Sequence, residues 1–172
     1  DINPFESDSI TQVETIEELV QDKDYVFVSV PTPHDPAYDG STPAMHLEPK
    51  DFNYDIATSV IAEANKYMND SQSIILISTV MPGTIRKQII PLVTNTKFVY
   101  NPYLIAMGTI RWDMVNPEMI MIGTEDGSAT GLAGGLSVFY DAFMENNPKT
   151  IIGTWEEVET MKIFYNTFIS TK

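Results

Sequence analysis

The chain has 172 residues, 43% of them hydrophobic, which is enough for one ordinary domain with a sizeable core, or one domain plus part of another. Its 24 acidic against 10 basic side chains give a formal charge of −14, which opposes nucleic acid or anionic membrane as partners unless a basic patch intervenes, and the sequence has no such patch. The absence of cysteine excludes disulfides, thiolate metal sites and cysteine nucleophiles within these residues.

No apolar run is long enough to span a bilayer and no charged-then-apolar leader opens the chain, so no membrane partner and a cytoplasmic location are expected. Both ends read as cut. The chain starts at Asp1-Ile2-Asn3-Pro4 without Met, and Tyr165 to Lys172 still carries a helical apolar pattern without a capping Gly or Pro.

Strand and helix alternate along the chain, which predicts an α/β fold with a largely parallel sheet. Thr15 to Val20 reads as a short helix and Tyr25 to Val30 as a buried strand stopped by Pro31-Thr32-Pro33. A long loop over residues 34–50 follows, with Asp35, Asp39, Gly40 and Ser41 as turn formers. Asp51 to Asn69 is expected to be a crossover helix, with Ile56, Val60, Ile61, Ala64, Tyr67 and Met68 at helical spacing. Its partner strand is Ile74 to Val80. After Pro82-Gly83 come a short helix, Thr84 to Ile90, and a third strand, Lys97 to Asn101. Tyr103 to Pro117 reads as irregular and Met119 to Gly123 as a strand. Gly131 to Asn146 is an amphipathic helix with Leu132, Leu136, Phe139, Tyr140 and Phe143 inward. Thr150 to Ile152 is a last short strand, and Trp155 to Lys172 a helix.

Two constellations carry chemistry. The strands ending in Thr32 and in Ser78-Thr79 both run apolar and then present hydroxyls at the carboxyl edge, where open parallel sheets bind ligands. Such groups suit ribose, phosphate or a nicotinamide amide, although Pro and Thr also simply terminate strands. On the final helix Glu159, Lys162 and Asn166 fall within about 60° of one another, with Val158, Met161, Phe164, Tyr165 and Phe168 on the other side. That stripe reads either as a solvated face with an ordinary ion pair, or as a Lys that stabilises charge on a reacting sugar oxygen beside an orienting Asn. The glycines between Gly123 and Gly135 do not match G-x-G-x-x-G, and that fingerprint occurs nowhere in the chain. Asp35, Asp39 and Gly40 resemble a calcium loop only superficially, because Ala37 stands at a ligand position.

Taken in order, VFVSVPTP (ending at Pro33), IILISTVMPGT (Ile74 to Thr84), FVYNPYL (98–104), NPEMIMIG (116–123) and EEVETMKIFYNTFISTK (156–172) resemble the signatures of the UDP-glucose/GDP-mannose dehydrogenase family. The likeness covers about residues 12–172, and it is the order and spacing of the five motifs that make it specific. It implies a Rossmann-like, mostly parallel sheet with helices on both faces, truncated at its N-terminus. Residues 1–153 would be a partial NAD-binding domain and 154–172 the start of a long central dimerisation helix, with the sugar-nucleotide domain absent. The implied cofactor is NAD, the implied partners are a UDP- or GDP-sugar and a second copy in a homodimer, and the implied reaction is oxidation of the sugar C6 alcohol to a carboxylate through a cysteine thioester.

Residue by residue, Val30, Pro31, Thr32 and Pro33 match the turn that borders NAD, and Ser78-Thr79 the segment beside the nicotinamide, where Thr79 helps hold the catalytic water. Lys162 and Asn166 match the pair that stabilises the oxyanion. Asp1 matches the acidic residue that accepts the adenosine ribose hydroxyls. Asn101 and Tyr103 fall in the substrate-side N-P-E-F-L motif, where Tyr103 replaces a carboxylate; Met107 replaces a second one, and the Arg of P-D-R is absent from Pro117-Glu118-Met119. The 3-hydroxyisobutyrate/6-phosphogluconate dehydrogenases share only the K-x-x-x-N spacing. A non-catalytic binding or assembly module derived from the family is a third reading, which Tyr103 and Met107 permit. In the usual strand order the missing first strand lies beside Tyr25 to Val30, so its absence exposes a hydrophobic edge and favours self-association.

Overall fold

The computed structural model describes residues 8–106 and 108–171. Five strands form one sheet in the order β1-β2-β3-β4-β5: Tyr25–Val28 (β1), Ser73–Leu76 (β2), Lys97–Tyr100 (β3), Met119–Thr124 (β4) and Lys149–Thr154 (β5). The helices are Ile16–Val20 (α1), Asp55–Tyr67 (α2), Ile110–Val115 (α3), Leu132–Asp141 (α4) and Trp155–Thr171 (α5). None of the described helices is long and apolar enough to cross a membrane.

Alternation of side chains along the strands splits the core in two. Val26, Val28, Ile74, Leu76, Phe98, Tyr100 and Met121 point to one face, where they meet Ile61 and Ala64 of α2 and Trp155 and Val158 of α5. Ile75, Val99, Ile120 and Ile122 point to the other and meet Ala133, Leu136 and Tyr140 of α4. Both faces are covered by helices, and this is the Rossmann-like arrangement expected.

The first three strands run parallel, but β3 and β4 pair antiparallel at Tyr100↔Gly123. The reason lies in the connection. The segment expected to be irregular contains α3, yet it never crosses the sheet, so the chain re-enters beside the carboxyl end of β3 and runs back. The crossover through α4 then makes β5 parallel to β4. α5 therefore starts with Trp155 against Phe98 near the amino end of β3, their rings 6.1 Å apart at 72°, and runs toward the carboxyl ends of β1–β3.

Several expected elements are shorter. Residues 77–80 leave the sheet, because Ser78 turns to bond the neighbouring strand end instead of continuing the ladder. The helix expected from Asp51 begins at Asp55: Asp51 accepts from the Phe52 amide and from the Tyr54 hydroxyl, which holds the chain in a turn. The buried face of α2 is Ala57, Ile61, Ala64 and Asn65, while Ile56 and Tyr67 are exposed. The short helix after Gly83 is a π-helical turn, Ile85–Ile89, followed by a 3-10 turn over Ile90–Leu92 that accommodates Pro91.

β4 packs directly on α5 because Gly123 has no side chain. A Cβ there would lie 3.2 Å from Val158 Cβ and 3.3 Å from both Trp155 Cα and Tyr100 Cβ. Gly123→Ala is expected to destabilise the fold by about 1–3 kcal/mol through overpacking, read as a lower urea midpoint. An unchanged midpoint would contradict this packing.

Candidate functional site

The carboxyl ends of β1 and β2 are fastened into one ledge by two hydroxyls. Ser78 Oγ accepts from the Val30 amide at 2.8 Å and donates to the Val30 carbonyl at 2.7 Å. Thr32 Oγ1 donates to the Thr79 carbonyl at 2.7 Å. Both groups are thus used in holding the ledge together. Ser78 is buried, and Thr32 keeps only acceptor capacity toward a ligand. Thr79 is half-buried, and its own hydroxyl has no hydrogen-bond partner among the described residues. Pro31 and Pro33 lie exposed along the rim.

Beyond Thr79 the backbone turns sharply. Pro82 lacks an N–H and Gly83 adopts φ +87°, a conformation that favours glycine. Four N–H groups of this turn are received by buried side chains. Val80 donates to the Tyr100 hydroxyl at 3.4 Å and Met81 to the Tyr54 hydroxyl at 3.0 Å. Gly83 and Ile85 donate to the two oxygens of Glu159, at 2.6 and 2.7 Å. Burial, with the Asp51 hydrogen bond, pushes the Tyr54 hydroxyl up to about 12, so it is a neutral donor to Asp51 while accepting from Met81. The helical turn after Gly83 is a ready anion seat, and an internal carboxylate fills it.

The polar stripe of α5 is not a solvated face. Glu159 is 0% exposed and Lys162 6%, whereas Phe164 and Phe168, on the side opposite the stripe, are 71% and 65% exposed. α5 lies on the sheet only for its first turns, so burial follows position along the helix more than hydropathy. Lys162 reaches past the end of β3 and donates to the Tyr103 carbonyl at 2.7 Å. No carboxylate among the described residues pairs with it. Burial lowers its pKa, and an ammonium with one acceptor has donor capacity left for an anionic oxygen. Asn166, one turn on, is exposed.

Tyr103 contributes its carbonyl and not its side chain. The ring enters the core between β3 and α4, 6.0 Å from Tyr140, and its hydroxyl donates to the Met114 carbonyl at 3.0 Å. Burial pushes that hydroxyl up to about 12. Asn101, expected on the substrate side, is 0% exposed. Its amide donates to the Met121 carbonyl at 2.7 Å and accepts from the Tyr140 hydroxyl, so it ties β3 to β4 and α4 instead of facing a ligand. Asp1 and Met107 lie outside the described residues.

Thr32 and Thr79 stand past the carboxyl ends of β1 and β2 and Lys162 bonds the chain past the end of β3, so all three lie at the carboxyl edge of the sheet. Sequence reasoning missed the roles of Tyr54, Tyr100 and Tyr140, whose hydroxyls reach across elements without any local signal. It also read Glu159 only as one member of a stripe.

These features define a Rossmann-type nucleotide-binding domain, with its ligand ledge at the carboxyl ends of parallel strands. Residues 4–144 match the NAD-binding domain of the UDP-glucose/GDP-mannose dehydrogenase family, and the chain belongs to that family, whose cofactor is NAD. Among solved structures it is similar to a GDP-mannose dehydrogenase from Pseudomonas aeruginosa, with a TM-score of 0.71 and 21% identity over 91% of this chain and 34% of that one. A UDP-glucose dehydrogenase from Pyrobaculum islandicum gives a TM-score of 0.65 and 22% identity, with the same coverage of 91% and 34%. An uncharacterised protein of Methanocaldococcus jannaschii is 28% identical over 159 residues, which are 89% of this chain and 16% of the relative. The chain thus spans about a third of the solved relatives it matches.

The residues present fit NAD in their chemistry: a Thr79 hydroxyl unengaged among the described residues and open Thr32 lone pairs at the strand ends suit the hydroxyl and amide groups of such a cofactor. The glycine loop that receives the diphosphate in such domains is not among them.

The buried Lys162 ammonium has a defined pH signature. Its folded pKa is lowered, so the unfolded chain binds more protons over the interval up to the ordinary lysine value, and stability rises with pH there. Relative to Lys162→Met, the wild-type chain is expected to gain about 1.4 kcal/mol for each unit separating the two pKa values as pH rises through that interval. Urea denaturation of both chains at neutral and alkaline pH measures this, and a flat difference would mean the ammonium is not desolvated.

Proposed function

We propose that this chain is one part of an NAD-dependent nucleotide-sugar dehydrogenase, whose whole protein oxidises the C6 alcohol of a UDP- or GDP-sugar to a carboxylate. The observation that carries this is Lys162: a buried ammonium without a carboxylate partner among the described residues, at the same sheet edge as the Thr79 hydroxyl, which none of them engages. Family membership and the names of the similar structures, GDP-mannose, UDP-glucose and UDP-D-ManNAc dehydrogenases, support the substrate class.

NAD, when bound, supplies the hydride acceptor. Within this chain Lys162 would hold positive charge against the sugar oxygen as it loses its proton, oriented by the Tyr103 carbonyl. Thr79 would offer its hydroxyl to the nicotinamide side or to a water beside it, and Thr32 would border the cofactor through its lone pairs. Asn166 would join Lys162 only after a rotamer change or under a covering segment, since it stands exposed. No cysteine is available for a thioester, so the second oxidation needs residues beyond these.

A non-catalytic, family-derived module is favoured by one observation, the Tyr103 side chain buried where the family motif carries a carboxylate. NMR of the labelled chain tests nucleotide binding in either case. NAD is expected to shift the Thr32 and Thr79 signals, and their indifference at millimolar NAD would overturn both readings.

The isolated chain, given NAD with UDP-glucose or GDP-mannose, is expected to form no NADH above background. Sustained turnover would sink the proposal that it is only one part of the site.

Self-association is also proposed. β1 is the edge of the sheet among the described residues, and beside it Phe27 and Phe143 are 39% and 58% exposed around Phe139. An apolar edge of this kind recruits another strand. Sedimentation is expected to reveal a dimer that Phe27→Lys weakens; a clean monomer at high concentration would count against it.

A further inference from the structure

Glu159 is a carboxylate with no solvent contact and no basic partner among the described residues, and the proposed chemistry does not use it. Its two oxygens are spent on two backbone amides, Gly83 and Ile85, at 2.6 and 2.7 Å. The other acceptors of the turn lie elsewhere: Tyr54 at the start of α2, Tyr100 on β3, and the Met81 carbonyl, which takes the Thr84 amide at 3.1 Å. Of these acceptors Glu159 alone sits on α5, one helical turn before Lys162. The bond therefore joins the segment that carries Thr79 to the helix that carries Lys162.

We propose that Glu159 is a positioning residue that sets the Thr79 ledge and the Lys162 ammonium in register by clamping the Gly83 and Ile85 amides to α5. This rests on the reading of Thr79 and Lys162 as site residues given above. The chemistry requires a carboxylate. A glutamine has one acceptor oxygen, and its NH₂ would oppose an N–H donor; an aspartate is one methylene short of the turn. Charge-assisted bonds to amides at the start of a helical turn are among the stronger hydrogen bonds, which suits a joint that must hold two segments to within a fraction of an ångström.

The titratable groups that act on this carboxylate are Arg86 from the π-helical turn, Tyr100 from β3 and Glu156 from α5 itself, while Lys162 gives its hydrogen bond to the Tyr103 carbonyl. Arg86 is engaged by Glu156 at 2.5 Å, outside the clamp. Burial raises the Glu159 pKa above the ordinary Glu range against the two amide bonds, so the clamp opens by protonation as pH falls while more exposed carboxylates are still ionised.

The test is a pH titration of the labelled wild-type chain by NMR without ligand. The Gly83 and Ile85 amides should lose their downfield shift as Glu159 protonates, and the Thr79 methyl and Lys162 ε-methylene signals should move with the same midpoint. Glu159→Gln should place all four signals at their protonated positions at neutral pH and abolish that midpoint, with the Ile74 to Leu76 signals unchanged. Glu156→Gln should keep all four signals titrating together but at a lower midpoint, because the Glu156 charge helps to raise the Glu159 pKa. Thr79 and Lys162 signals that stay fixed while Gly83 and Ile85 titrate would overturn the proposal and reduce Glu159 to a cap. Should Glu159→Gln not fold, the wild-type titration decides by itself. Because no nucleotide is present, the outcome is independent of whether NAD binds, so failure of the cofactor reading and failure of this one are read in separate experiments.

Discussion

α5 runs over one face of the sheet toward the carboxyl ends of the parallel strands and buries one carboxylate and one ammonium of its own, and the arrangement of this edge depends on how those charges are satisfied. They do not neutralise each other. Glu159 takes two amides of the turn after β2, and Lys162 gives one bond to the carbonyl that follows β3. Removing two ions from water is expensive, and a direct pair would be the simplest compensation. Spending each on backbone instead fixes the helix to two loops at once. It also leaves the Lys162 ammonium with donor capacity that no described residue takes up.

The same economy of polar groups governs the ledge. Ser78 and Thr32 are consumed in joining the ends of β1 and β2, and three tyrosine hydroxyls, from Tyr54, Tyr100 and Tyr140, receive or anchor groups that would otherwise be orphaned in the core. A buried N–H without an acceptor costs about 1–3 kcal/mol, so a sharp Pro-Gly turn laid over a hydrophobic sheet needs such partners. What remains unengaged is Thr79. Fewer hydroxyls are therefore open to a ligand than the sequence suggests, because the scaffold itself uses most of them.

Tyr103 gives the family membership a particular colour. At a position where the family motif has a carboxylate, the ring is folded into the core between β3 and α4, and only the carbonyl faces Lys162. A carboxylate at this point would stand against the apolar cluster of Ile75, Val99, Ile120 and Leu136 in which the ring packs.

The sequence by itself determined the α/β class, the alternation of strands and helices, the strand ends that form the ledge, and the K-x-x-x-N stripe on the last helix. These are local properties: apolar runs stopped by Pro or Gly, and residues at helical spacing. It did not reveal the antiparallel entry of β4, because that follows from where the connection through α3 returns and not from the strand's own residues. It left the polar stripe of α5 open between a solvated face and a site, because spacing does not tell how far a helix stays on the sheet; the tertiary structure keeps it there for its first turns only, which buries Glu159 and Lys162 and leaves Asn166, Phe164 and Phe168 exposed. It could not tell Asn101 and Ser78, used up inside the fold, from Thr79 and Lys162, which are not. Whether a polar group is spent or free depends on partners 20 to 76 positions away, from the Asn101–Met121 bond to the Gly83–Glu159 bond, and only packing brings those together.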